Sequence, residues 1–531
     1  MKKTHPFRFI VLSLSLMLSF LMGCSRLSMP WSAVDQSDQG GQSPKSTLTA
    51  ALSLPSGSDT AVDRAEVSAL LPAYQADAVT LGDIPHYDLN LEIDFSQANF
   101  TGQSRVNYTN IEADVLDSLF FRLYPNGGKS YGNGHLQVED VQVGGQEVET
   151  DLSLQDSVME VLLPEALEPG KSVQIDMNFS GEVPVDFGGQ ETPAGYGIYN
   201  LSDDVMALSG WYPQLAVYDD EGWNLDPVSA IGDSVYSDTA NYIVDVSVDS
   251  DVKLAATGVE VEQVKFNGQT KYHYISGPVR DFFLVMSPDF LVASRMVDGT
   301  LVNSYYLPGH EQGGKIGLQV AADSLTVFNQ RFGTYPFTEL DLVEAPMRNA
   351  LGVEYPGIML AVTSLYDDPS QPSFAVTTAH EVAHQWWYSV VGNNVIDEPW
   401  LDEALATYSS GLYMQDVIGQ QAYEGITGYW DERYAAVVAD GLDDLVTEDL
   451  RYFEGSTEHK PYGTIVYSKG ALALKAIREE IGDQAFFEAL QHYFQANKYM
   501  IAESDDLLES FEASAGVPLD NLYEQWLYTH R

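Results

Sequence analysis

Alternation marks the start of the folded body. Tyr87, Leu89, Leu91, Ile93 and Phe95 are apolar at every second position with polar residues between them, the period of a strand that buries one face. Segments of similar character follow, among them SLFFRLY, VMEVLLP, SVQIDMNF, YIVDVSV, VEQVKF and YHYISG, separated by the turn signals PNGG, EPGK and FNGQ. Nearly everything to about Ala293 reads as β. Beyond it the apolar spacing lengthens to that of helices, in KIGLQVAADSLTVFNQRFG, SFAVTTAHEVAHQWWYSVVG, DEALATYSSGLYMQDVIG and from Lys469 onward. Runs of strands followed by runs of helices predict an α+β chain: an N-terminal antiparallel β domain over 80–293 and a mostly helical domain over 294–531. No repeat at a solenoid period is visible.

Ahead of the strands, Ser25 to about Asp77 is rich in Ser, Gly, Gln, Asp and Ala and shows no sustained period, so a flexible tether is expected over 24–79. The first residues read as an address. Lys2, Lys3 and Arg8 precede an apolar run from Phe9 to Met22, shorter than the roughly 20 residues of a membrane-spanning helix. The run ends Leu21-Met22-Gly23-Cys24, which resembles the lipobox of bacterial lipoprotein signal peptides. That resemblance implies cleavage of a signal peptide 1–23, lipidation of Cys24 and a membrane-anchored protein of the cell envelope facing outside the cytoplasm.

Composition narrows the chemistry. A length of 531 residues exceeds what one core usually organises, and 45% hydrophobic with 11% aromatic residues excludes a wholly disordered or fibrous chain. With 26 Lys+Arg against 77 Asp+Glu the net charge is −51, a field that repels nucleic acid. The acidity fits adaptation to high salt or a preference for basic peptides, and the sequence does not choose between them. Cys24 is the sole cysteine, so a metal must sit on His and carboxylates.

His380-Glu381-Val382-Ala383-His384 offers such a site. On a helix two His four apart share one face and reach one ion, while Glu381 stands about 100° round, near a metal-bound water but off the metal. A third ligand is needed, and Glu403 follows His384 after eighteen residues, in Trp400-Leu401-Asp402-Glu403-Ala404. Gly128-Lys129-Ser130 lacks the leading Gly of a phosphate loop, and His310-Glu311 has Gly314 where a second His is needed. His459 reads as a solvated loop residue, and acidic runs such as Asp443-Asp444 as solvated faces.

H-E-x-x-H, eighteen residues, then Glu in a W-L-x-E segment resembles the gluzincin peptidases of the aminopeptidase N and leukotriene-A hydrolase family. Leu351-Gly352-Val353-Glu354-Tyr355 resembles that family's G-x-M-E-N segment, and Tyr467-Ser468-Lys469-Gly470 its Y-E-K-G segment. The resemblance implies a thermolysin-like catalytic domain with one zinc held by His380, His384 and Glu403. It implies Glu381 as the base, Tyr467 as donor to the oxyanion, and Glu354 as the group binding the free α-amine of a peptide. Tyr462 stands where some members carry another active-site Tyr, and Gln214, in Gly210-Trp211-Tyr212-Pro213-Gln214, is a candidate for the family's Gln near the amine. Leu351, Val353, Tyr355, Asp402 and Ala404 depart from the motifs without removing a ligand or the base, and Tyr355 bears on the amine subsite. Sixty-four residues follow Tyr467, which implies a catalytic domain without the large helical domain of many members and an open site for longer peptides. The expected activity is zinc-dependent removal of N-terminal residues from peptides. An endopeptidase, a non-peptide hydrolase and an idle binding lipoprotein stay open.

Overall fold

The computed structural model describes residues 66–188, 195–233, 235–455 and 460–530. Cys24, the expected signal peptide and His459 lie outside them. Among the described residues no helix is long and apolar enough to cross a membrane.

The β domain is built on an eight-stranded sheet with His86–Asp94 near its centre. Tyr87, Leu89, Leu91 and Ile93 of that strand are buried, as the alternation requires. It runs antiparallel to Asn99–Thr109 but parallel to Asn241–Asp249, with Leu89 opposite Val244, so the domain is not antiparallel throughout. The strand Val259–Phe266 lies at the sheet edge and is exposed along nearly its whole length, its apolar Val261, Val264 and Phe266 included. Among the described residues two four-stranded sheets and the two-stranded pair Tyr218–Asp219 with Gly222–Trp223 complete the domain.

The boundary falls earlier than 293. Leu291–Val297 and Thr300–Tyr306 belong to the five-stranded sheet of the second domain, with Glu339–Ala345, Ile358–Val362 and the edge strand Gly352–Tyr355 following in space. The helix Glu311–Phe332 covers this sheet, and the helices Pro372–Ala383, Trp400–Tyr413, Gln420–Ala439 and Gly470–Asn497 form the rest of the body. Order also begins before residue 80. Leu70 and Ala78 are buried, Leu70 bridges Phe337, and Lys498 pairs with Asp77 at 2.7 Å, so residues 66–80 pack on the second domain rather than continuing a tether.

Candidate zinc site and substrate cleft

Pro372 opens the helix that carries the two His, its fixed φ and missing N–H suiting a first turn. His380 sits in the last full turn and His384 caps the helix, one turn apart on the same face. The His384 Nδ1 faces the Trp387 carbonyl at 3.0 Å, which fixes the tautomer and leaves Nε2 free for a metal. Glu403 enters from the first turn of the helix Trp400–Tyr413, where the macrodipole favours a carboxylate. Asp402, whose carboxylate accepts from Asn393 and from the Glu403 N–H, steadies that turn.

The three donors fit zinc. His380 Nε2 and His384 Nε2 are 3.1 Å apart, His380 Nε2 and Glu403 Oε2 3.1 Å, and His384 Nε2 and Glu403 Oε2 3.4 Å. Tetrahedral donors about 2.0–2.1 Å from one ion stand about 3.3–3.4 Å from each other, so a single ion satisfies all three. Burial opposes charge on Glu403, but its two imidazole partners outweigh that and hold its carboxyl down at about 2. Its carboxyl is therefore held in the ionised form that a metal ligand needs.

Glu381 is buried beside the ligands, and its Oε2 has no hydrogen-bond partner. Burial first, then the charges of Glu403 and Asp233, push its carboxyl up to about 8 against the opposing pull of His384. A cation held by the neighbouring ligand set would favour its ionised form, the form that can accept a proton. Tyr467 lies in a π-helical turn, Gly463–Lys469; its hydroxyl donates to Glu403 Oε1 and its ring stacks on His380. Tyr462 meets that ring edge-on, with centroids 5.8 Å apart. Behind this turn Lys469 binds Asp443 at 3.0 Å with both side chains buried, so Asp443 is a structural anchor and not a solvated face.

Glu354 projects from the edge strand Gly352–Tyr355, its Oε1 unpartnered and 3.8 Å from His384 Nδ1. Burial, then neighbouring carboxylates, raise its pKa well above the ordinary value. Tyr355 stacks flat on Phe283 of the β domain at 3.8 Å and lines the cavity beside Glu354, while its carbonyl accepts from Gln385. The residue in place of the motif's Asn is thus a packing contact between domains. Gln214 donates to the Arg280 carbonyl at 3.3 Å and does not line the cavity beside Glu354. Asp233 does line it. Carboxylate oxygens of Asp233, Glu354 and Glu403 lie within 4.8 Å of one another. Sequence reading missed Asp233 because it sits in a loop of the β domain with no motif around it; the preceding Gly232 was the only signal.

Lys129, of the discarded phosphate-loop match, pairs with Glu454 at 2.7 Å, and His310 binds Glu344 at 2.7 Å, so both have structural partners.

Residues 316–526 match the family model described as the peptidase family M1 domain. The chain is 26% identical over 299 residues to Aminopeptidase M1 of Arabidopsis thaliana, covering 54% of this chain and 34% of that protein. It is 22% identical over 467 residues to Aminopeptidase 2 of Candida albicans, covering 83% and 46%. It thus spans a third to under a half of the length of these curated relatives. The M1 zinc metallopeptidase of Deinococcus radiodurans shares its fold, with TM-score 0.64 at 21% identity over 84% of this chain and 94% of that one.

Proposed function

We propose that the protein is a zinc aminopeptidase that removes N-terminal residues from peptides at the cell surface, held to a membrane by lipid on Cys24. The carrying observation is the convergence of three ligand atoms at tetrahedral spacing with an unpartnered, buried Glu381 and a separate carboxylate, Glu354. Zinc, when bound, supplies a Lewis acid and lowers the pKa of its water toward 7. Glu381 takes the proton of the attacking water and passes it to the leaving amine. Tyr467, already a donor at the rim of the ligand set, gives its hydroxyl to the oxyanion as charge develops. Glu354 receives the substrate's α-ammonium by charge-assisted hydrogen bonding in a buried site and so measures one residue from the free end. The M1 relatives named as aminopeptidases support this reading, as does a structural neighbour described as bound to a Tyr-Ser-Ala substrate.

The test is hydrolysis of amino-acid anilides, each paired with its N-acetylated form, with zinc content measured on the same samples. One zinc per chain and turnover of free-amine substrates alone is the expected result; equal cleavage of blocked substrates points to an endopeptidase. Anchoring rests on the sequence around Cys24 and is tested separately: Cys24→Ser should abolish incorporation of labelled fatty acid and release the protein from membranes.

A further inference from the structure

We propose that Arg451 is a positioning residue for the oxyanion donor: it clasps the helix Leu450–Glu454 to the β domain, and that helix seats Tyr467 against the ligand set. The inference rests on the hydrolytic reading of Tyr467. A line of rings runs from the helix to the site. Phe453 meets Tyr462 edge-on with centroids 5.3 Å apart, Tyr462 meets Tyr467 in the same way at 5.8 Å, and the Tyr467 ring stacks on His380 at 5.9 Å. Close-packed rings transmit displacement, so a shift of the helix reaches the Tyr467 hydroxyl. A donor to developing charge works only when held within about 0.5 Å of its productive position.

A helix of five residues has too few internal hydrogen bonds to hold itself in place. The β domain holds it by both ends. In its first turn Arg451 Nη1 donates to Asp226 at 2.7 Å. At its last residue Glu454 accepts from Lys129 Nζ at 2.7 Å, from Ser229 Oγ at 2.8 Å and from the Ala230 N–H at 3.3 Å. Between these pins Leu450 is buried in an apolar cluster with Val217 and Tyr236 of the β domain and with Ile396. A Cβ added to Gly232, two residues beyond Ala230, would lie 2.9 Å from Leu450 Cδ2 and 2.7 Å from the Tyr462 hydroxyl. The loop 226–232 therefore presses on the helix and on Tyr462 together.

Arg451 also donates through Nε to Asp449 at 3.0 Å and through Nη2 to Asp397. One guanidinium thus stands among three aspartates that lie on both sides of the domain boundary. With the arginine present this boundary attracts; without it Asp226 faces Asp397 and Asp449 and the boundary repels. The Arg451 side chain is half exposed, so salt reaches the cluster and the pairs add little to overall stability. Screening must then act in opposite directions with and without the arginine.

The experiment measures kcat for alanine anilide on the zinc-loaded full chain in about 0.05 M and about 1 M potassium chloride. The readout is kcat because salt also weakens capture of a cationic substrate by an acidic cleft, an effect confined to KM. At low salt Arg451→Met should lower kcat about tenfold, with zinc content unchanged and the melting temperature within a few degrees. At high salt kcat of the unaltered chain should fall while that of Arg451→Met rises, closing the gap to about twofold. Arg451→Lys should keep most of the activity, and adding Asp226→Asn to Arg451→Met should restore kcat several-fold at low salt. Equal kcat in the unaltered chain and Arg451→Met at low salt overturns the inference. So does a loss in Arg451→Met that salt and Asp226→Asn leave unchanged, the mark of a merely structural role. Cleavage of N-acetylated and free anilides alike overturns the aminopeptidase reading, while the same salt comparison on the acetylated compound still decides the role of Arg451. No turnover of either anilide at full zinc content overturns both.

Discussion

The carboxylate of Glu381 lies against bare backbone. A Cβ built on Gly352 would fall 2.2 Å from Glu381 Oε1 and 2.4 Å from Cδ, so the edge strand and the base meet where only a hydrogen fits. Gly352 occupies the variable position of the family's G-x-M-E-N segment, and nothing in the sequence marks it as necessary. Gly352→Ala should therefore displace Glu381 and lower kcat at least about tenfold, while zinc content stays at one per chain. Steady-state kinetics beside metal analysis checks this, and unchanged kcat would show that the strand yields instead. Glu381→Gln keeps the volume and removes the proton acceptor, so it should cost about 10²–10⁴ in kcat with zinc retained. That His380, His384 and Glu403 converge was legible because they stand at fixed spacing along local segments. Asp233 was not: it is 121 positions from Glu354, since 354 − 233 = 121, and only the folded chain brings them together.

At the scale of elements, the catalytic sheet holds a buried polar pair. Asp341, in the strand Glu339–Ala345, accepts from Asn303 Nδ2 at 2.8 Å, and Asn303 in turn accepts from Ser294. Burial pushes the Asp341 carboxyl up to about 7 from an ordinary 3.8. A raised carboxylate means the folded state binds the proton more tightly than the unfolded one, so this group's contribution is fully present below about 4 and is lost as pH rises to about 7. Asp341→Asn keeps an acceptor for Asn303 and removes this carboxyl's share of the titration, leaving that of Glu339, which burial and then Asp341 raise and which also accepts from Asn303. The variant should flatten the fall in stability between about pH 4 and 7 and be the more stable form above it, by about 1–3 kcal/mol. Denaturant melts across that range test the sign. The strands 291–306 alternate like those of the β domain, which is why periodicity assigned their beginning to the wrong domain; pairing partners, not period, decide which sheet a strand joins.

Across the whole molecule, the β domain and the catalytic domain are joined by groups that composition cannot reveal. Leu70 and Ala78 are two small anchors in a stretch otherwise polar enough to read as linker. Arg280 is the larger case. Its buried guanidinium donates to the carbonyls of Tyr388, Ser237 and Met500, and Gly392 packs directly on it. Its neighbour Asp281 accepts from the Tyr388 hydroxyl at 3.0 Å, and Tyr388 itself holds φ at +122°, a strained conformation for a residue with a side chain. Arg280→Met preserves much of the volume but leaves three carbonyls and a buried Asp281 without their cation. Breaking such a group costs about 3–5 kcal/mol, enough to lower the melting temperature by several degrees. A purely structural role ends there. Because the same arginine holds the Tyr388 turn that follows His384 and lines the cavity beside Glu354, KM for free-amine substrates should also rise in Arg280→Met at temperatures well below melting, with kcat less affected. Arg280→Lys, which keeps the charge but not the three-way fork, should fall between the two. A destabilised Arg280→Met with unaltered KM would mean that the two domains are joined there for stability alone and that the Tyr388 turn keeps its place without the arginine.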